Sequence, residues 1–225
     1  RIGPEILKHN SDIYRRLRNT LRYLLGALDG FSATETVDHQ AMPELERWVL
    51  HRLWQIDRVV REAVEAFDFH AMFTELHNFC AVDLSAFYFD IRKDRLYCDA
   101  PGEPGRRAVR TVMDRTFDCL CRWLAPVLCF TAEEAWLARQ GDAPGRSVHL
   151  ELYADVPPAW RDDALVARWQ GLRDLRRVAT GALEVERGAK RIGSSLQAAI
   201  TLYVDRALDV SDTELAELCI TSAAR

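Results

Sequence analysis

Between Tyr14 and Leu28 the sequence runs YRRLRNTLRYLLGAL, and its apolar residues Tyr14, Leu17, Leu21, Leu24, Leu25 and Leu28 recur at spacings of one to four. At about 100° per residue they converge on one stripe, which a helix can satisfy only by burying it. The pattern returns along the chain. Behind Pro43, residues Leu45, Val49, Leu53, Ile56, Val60, Ala63 and Phe67 make a second stripe. Met72, Leu76, Phe79, Cys80 and Phe87 make a third, in a helix from Phe69 to about Tyr88 that Asp68 is placed to cap. Val109, Val112, Met113, Thr116, Leu120, Trp123 and Leu124 make a fourth, between Arg106 and Leu124. The chain is therefore mainly α.

The breaks between stripes follow from Gly, Pro and capping residues. Gly3-Pro4 starts the first helix, Asp29-Gly30 stops it, and Phe31 to Ala41 reads as a loop. Pro126 ends the fourth helix, and Thr131 with Glu134 forms a capping-box signature for a short fifth helix through Trp136 to about Arg139. From Gly141 to Ala159 the chain is punctuated by Gly and Pro, and Val148, Leu150 and Leu152 alternate as in an extended stretch. A sixth helix, about Asp163 to Arg187, carries Leu165, Trp169, Leu172, Leu175, Ala179 and Leu183 inward. Beyond it, Leu196 to Asp205 reads as a strand, Ser211 or Asp212 caps a short helix, and Leu218 begins another strand. These features divide the chain into a helical part over residues 1–140, a connecting segment over 141–160 and a long helix with a small α+β subdomain over 161–225.

Composition narrows the function. A chain of 225 residues with 48% hydrophobic and 28% charged residues can bury a core and is not a disordered segment. It opens on Arg1 and closes just after an apolar run, so it reads as a piece of a longer protein. With 30 Lys and Arg against 34 Asp and Glu, the net charge of −4 argues against a protein that coats nucleic acid indiscriminately. Any such contact must use local patches. The six cysteines include no Cys-x-x-Cys pair and fall mostly within apolar helical patterns, which argues against a disulfide framework or a zinc site and suggests a reducing cytoplasm. No apolar run approaches the roughly 18 residues of a membrane span.

Several charged or ligating residues invite a chemical reading. His70 and His77 share a helix face but stand seven apart, whereas metal pairs on a helix usually stand four apart, so packing or surface roles fit them better. Glu133 and Glu134 are adjacent and cannot face a common substrate, and capping accounts for Glu134. No catalytic residue is assigned. On the first helix Arg15, Arg18 and Arg22 lie on one flank of the buried stripe with Asn19 beside them. Three arginines on a long helix are ordinarily a solvated face, but this arrangement can also hold phosphates.

The wording favours the second reading. Tyr14, Arg15, Arg18, Asn19, Thr20, Arg22 and Tyr23 match the Tyr-Arg-x-x-Arg-Asn-Thr-x-Arg-aromatic run that opens the anticodon-binding helical domain of the isoleucyl-tRNA synthetases. LSAFYFDIRKDRLYCD (Leu84 to Asp99), WLAPVLCFTAEEAW (Trp123 to Trp136) and ERGAKRIGSSLQA (Glu186 to Ala198) also resemble that family, with Gln197 standing where it would carry Glu. The resemblance spans essentially the whole chain. It implies an antiparallel helical bundle followed by a small α+β subdomain, a soluble cytoplasmic monomer, and isoleucine tRNA as partner. ATP and Mg would serve a catalytic domain elsewhere in the parent, because no His-Ile-Gly-His, Lys-Met-Ser-Lys-Ser or phosphate-cradling glycine loop occurs here, and GAKRIGSS follows a helix and has one Gly too few. No cofactor or metal is expected within this chain. Arg15, Arg18, Asn19 and Arg22 are the first candidates for tRNA contact and Arg187, Lys190 and Arg191 the second, with Trp54 and Trp169 as weaker base-stacking platforms. The corresponding domain of a valyl or leucyl enzyme shares the bundle but not the Leu84 to Asp99 wording. A helical protein-interaction scaffold is the alternative from a different class.

Overall fold

The computed structural model describes residues 3–141, 143–205 and 209–225. The chain forms two compact units, Arg1–Asp162 and Asp163–Arg225.

The first unit is a helical bundle. α1 (Pro4–Ala27) begins with proline at its first position, where the missing N–H would have no intrahelical acceptor, and Leu28 follows as its C-cap. Gly30 turns the chain away at φ +67°, a conformation that costs a residue with a Cβ. Leu17, Leu21, Leu24 and Leu28 are buried and pack α1 against α5 (Pro104–Leu124), α6 (Cys129–Gln140) and the wide-wound segment described below. α2 (Glu44–Glu65) buries Leu45, Val49, Leu53, Ile56 and Val60 against α5 and against α3 (Phe69–Asn78). Asp68 caps α3 by accepting from the Ala71 N–H at 3.0 Å.

From α3 the chain continues without a break through a π-helix, Phe79–Tyr88, into α4 (Phe89–Cys98). The i→i+5 winding widens the turn. Phe79, Cys80, Asp83, Leu84, Phe87 and Tyr88 of this segment are all buried. The helix expected to end at about Tyr88 continues to Cys98. Arg92 turns inward and forks onto Glu46 of α2 at 2.6 and 3.0 Å, while the Tyr88 hydroxyl donates to the same carboxylate at 3.3 Å. Burial, with Glu46 close by, holds the Tyr88 hydroxyl well above its ordinary pKa.

Three local expectations are corrected. Phe67 does not continue the α2 stripe: the helix ends at Glu65, and Phe67 sits at φ +58° with its ring 79% exposed. Thr131 does not cap α6, which starts at Cys129 with no side-chain cap. Its hydroxyl instead meets the Tyr14 hydroxyl of α1 at 3.0 Å. Glu133 accepts from the Val148 N–H at 2.8 Å and the Ser147 hydroxyl at 3.1 Å, which folds Val148–Leu150 into a 3-10 turn in place of an extended stretch. Val148 alone of the three alternating residues is buried.

In the second unit α7 (Asp163–Gly188) buries Leu165, Trp169, Leu172, Ala179 and Leu183. Of the stretch expected as a strand, Ser195–Gln197 is a 3-10 turn and the strand itself is short, β1 (Ala199–Ile200), with Ala198 and Leu202 adding backbone hydrogen bonds to Ser222 and Arg225. β1 runs parallel to β2 (Ala223–Ala224) with Ala199 opposite Ala223. Between them α8 (Asp212–Cys219) is capped by Ser211 in a capping box with Glu214. The strand expected from Leu218 starts later, because the helix persists to Cys219 and stops at Ile220 in the left-handed region. The chain is mainly α as expected, a helical bundle followed by a small α+β unit. No helix of the described residues is long and apolar enough to cross a membrane.

Candidate nucleic-acid interface

The exposed side of α1 is unusual in what its cations do not do. Elsewhere in the bundle arginines are engaged: Arg52 with Asp83 and Glu75, Arg61 with Asp57, Arg92 with Glu46, Arg110 with Glu35, Arg122 with Asp118 and Arg139 with Asp114. On α1, Arg15 reaches Asp12 at 3.1 Å, an exposed pair that solvent screens to little net effect. Arg18 and Arg22 are exposed, and among the described residues neither has a hydrogen-bond or ion partner. Asn19 is exposed beside them. A guanidinium with no internal partner keeps its donor fork available to a phosphate.

The helix presenting these groups is firmly held. The Arg110 guanidinium donates to the Asp29 carbonyl at 2.6 Å, and Arg139 reaches the Leu28 carbonyl at 3.4 Å, so carbonyls at the C-terminal end of α1 find partners in α5 and α6. Both guanidinium groups lie over the Phe31 ring, at 5.4 and 5.6 Å.

On the other edge of α1, Tyr23 lies against Phe89 with ring centroids 4.5 Å apart and planes tilted by 31°, and its hydroxyl is close to Tyr97 at the end of α4. Burial, then the nearby Tyr97, pushes the Tyr23 hydroxyl far above its ordinary pKa and keeps it neutral. Tyr97 itself is 69% exposed. An exposed aromatic ring beside the α1 surface is available to an unpaired base as a stacking platform. Sequence reasoning missed it. The available signal was an aromatic residue in the polar helix end Asp94-Arg95-Leu96-Tyr97. The two tryptophans offered as weaker platforms are not open. Trp169 is buried, and the Trp54 ring already carries the Arg58 and Arg161 guanidinium groups at 5.2 Å each.

The second candidate group lies at the end of α7, in the other unit. Arg187 pairs with Glu184 at 2.6 Å, and Arg191 forks onto Glu186, one of its two bonds being 2.7 Å. That contact depresses the Glu186 carboxyl and raises the Arg191 guanidinium. Lys190 occupies the left-handed region at φ +57° just past the helix, and among the described residues its ammonium has no partner. Lys190 is the freest cation of the three. Gln197 caps the turn that follows, accepting from the Gly193 N–H at 2.6 Å, a role in which its amide oxygen does what a carboxylate would do.

No group of three or more His, Cys, Asp or Glu that could hold a metal occurs among the described residues. All six cysteines are free; burial raises the thiols of Cys119, Cys121 and Cys219 and pushes that of Cys80 up to about 12. His77 is held below its ordinary pKa by burial and by Arg16 and His9.

A family model described as the anticodon-binding domain of tRNA ligase matches residues 46–202. The chain is 51% identical to the isoleucine–tRNA ligase of Agrobacterium fabrum, over 99% of the chain and 23% of that protein. It is 50% identical to the isoleucine–tRNA ligases of Gluconobacter oxydans, over 100% of the chain and 23% of that protein, and Mesorhizobium japonicum, over 99% and 22%. The chain thus spans less than a quarter of the length of these relatives.

Proposed function

The chain belongs to the anticodon-binding domain family of tRNA ligases, and from that premise we propose that it is the tRNA-binding part of an isoleucine–tRNA ligase. Its partner is isoleucine tRNA, held by the anticodon stem and loop. The observation that carries this reading is the exposed side of α1, where Arg18 and Arg22 have no internal partner among the described residues although most arginines of the bundle do. Arg15, whose exposed pairing with Asp12 is readily exchanged, and Asn19 extend the same surface. Phosphates of a bent anticodon loop would take the guanidinium forks, and an unstacked base would lie on Tyr97. Arg187, Lys190 and Arg191 are a second contact set, with Lys190 needing no rearrangement and the two arginines exchanging an exposed carboxylate for a phosphate.

The catalytic part of such a ligase consumes ATP with Mg. The residues of this chain do not fit that chemistry, since no metal-ligating cluster occurs among the described residues and the GAKRIGSS turn follows α7 and not a strand. Recognition is its contribution, within a cytoplasmic enzyme working as a monomer. The reading is tested by comparing the protein's affinity for isoleucine tRNA with that for the same tRNA carrying a replaced anticodon loop. The expected result is a loss of about tenfold or more on replacement. Equal affinities would overturn it.

A further inference from the structure

Between α1 and α6 lies a groove of about 170 Å³, with Arg18, Arg22 and Leu25 on one wall and Thr131, Glu134 and Ala138 on the other. Its floor is apolar, formed by the buried Leu21 and Ala135. Glu134 is out of place in such a groove. A carboxylate beside a phosphate-binding surface repels the ligand, and neither capping nor the helix dipole accounts for it. Glu134 is the sixth residue of α6, beyond the first turn where the helix dipole favours an acid, and it caps nothing. It is exposed, and among the described residues it has no hydrogen-bond or ion partner, although two unpaired guanidinium groups line the same groove. Its neighbour Glu133, by contrast, accepts two hydrogen bonds.

We propose that Glu134 reads the Watson–Crick edge of one unpaired guanine, seated in the α1–α6 groove; this rests on the anticodon-binding reading above and adds to it a residue and a base. The two oxygens of a carboxylate are acceptors only, and they match two parallel N–H donors. Guanine alone among the four bases offers such a pair, N1–H beside N2–H. Adenine and cytosine place a ring-nitrogen acceptor next to the amino group, and uracil flanks its N–H with two carbonyls, so each would set a lone pair against the carboxylate. The mismatch works against the other three bases as strongly as the match favours guanine. Leu21, Leu25 and Ala135 receive the ring face, and Arg18 and Arg22 take the phosphates on either side.

The test uses isoleucine tRNA in which each loop guanine is replaced in turn by inosine, which lacks the N2 amino group. Affinities are measured for the wild-type protein, Glu134→Gln and Arg22→Ala, with thermal melts alongside. One inosine substitution should weaken wild-type binding about tenfold, the size of a lost base-edge contact, and Glu134→Gln should bind the guanine form more weakly and no longer distinguish it from inosine. Wild-type indifference to every inosine substitution would overturn the proposal, as would a guanine preference that survives in Glu134→Gln. If Arg22→Ala weakens binding while Glu134→Gln behaves as wild type, the base assignment falls and the tRNA-binding surface stands. If neither variant changes binding, both fall.

Discussion

Replacing Glu46 by Gln keeps the shape of the side chain and removes one charge from the most enclosed ion pair of the bundle. The Glu46 and Arg92 side chains are 1% and 7% exposed, and their two bonds of 2.6 and 3.0 Å form a bidentate fork. The amide keeps an acceptor for Tyr88, so no cavity opens and the loss is that of the carboxylate charge facing the Arg92 guanidinium. Breaking a buried pair in this way costs about 3–5 kcal/mol. For a domain of this size each kcal/mol moves Tm by roughly 2–4 °C, so Glu46→Gln should melt roughly 6–20 °C lower than wild type. Adding Arg92→Met should recover part of the loss, because it removes the buried guanidinium that faced the Glu46 carboxylate, giving a favourable coupling in a double-variant cycle. Urea titration by circular dichroism supplies both free energies. A single-variant loss below about 1 kcal/mol, or strict additivity, would show that the fork between α2 and α4 is not what holds the Leu84 to Asp99 segment in place.

Glu133→Ala should cost about 1–3 kcal/mol in the same titration, because the Val148 N–H and the Ser147 hydroxyl lose their acceptor. His77 sets a pH dependence: its folded pKa lies below the ordinary 6.5, so its contribution is full above about 6.5 and is lost as pH falls through the folded value. The stability of wild type should therefore drop between pH 7 and pH 5 by more than that of His77→Asn, and parallel losses would refute the assignment. Tyr97→Ala should weaken tRNA binding by about 1–3 kcal/mol if the exposed ring carries a base; an unchanged affinity would remove Tyr97 from the interface.

Helical periodicity made the bundle legible, because Leu17, Leu21, Leu24 and Leu28, and likewise Val109 to Leu124, are buried where their spacing placed them. The errors occurred where a tertiary partner outweighs a local signal. Thr131 and Glu134 have the spacing of a capping box, yet the Tyr14 hydroxyl claims Thr131 across the bundle. The Asp90 to Arg95 run looks like a solvated exit until Glu46, more than forty residues earlier, draws Arg92 inward. Val148, Leu150 and Leu152 alternate, but with no neighbouring strand to pair with, the Glu133 carboxylate folds them into a turn. For the interface, the arginine flank of α1 could be read from spacing alone. That Arg18 and Arg22 lack partners among the described residues, and that Arg161 as well as Arg58 covers Trp54, could not, since both depend on residues distant in sequence.

The central claim is that the unpaired arginines of α1 neutralise tRNA phosphates, and the salt dependence of binding tests it most directly. Each neutralised phosphate releases condensed counterions, so the slope of log affinity against log salt counts the contacts. Isoleucine tRNA should bind Arg18→Ala and Arg22→Ala more weakly than wild type, with the slope shallower by about 0.7–0.9 for each arginine removed, and with melts close to wild type because both side chains are exposed. Wild-type affinity and wild-type slope in both variants would contradict the claim and leave the exposed side of α1 as a solvated helix face.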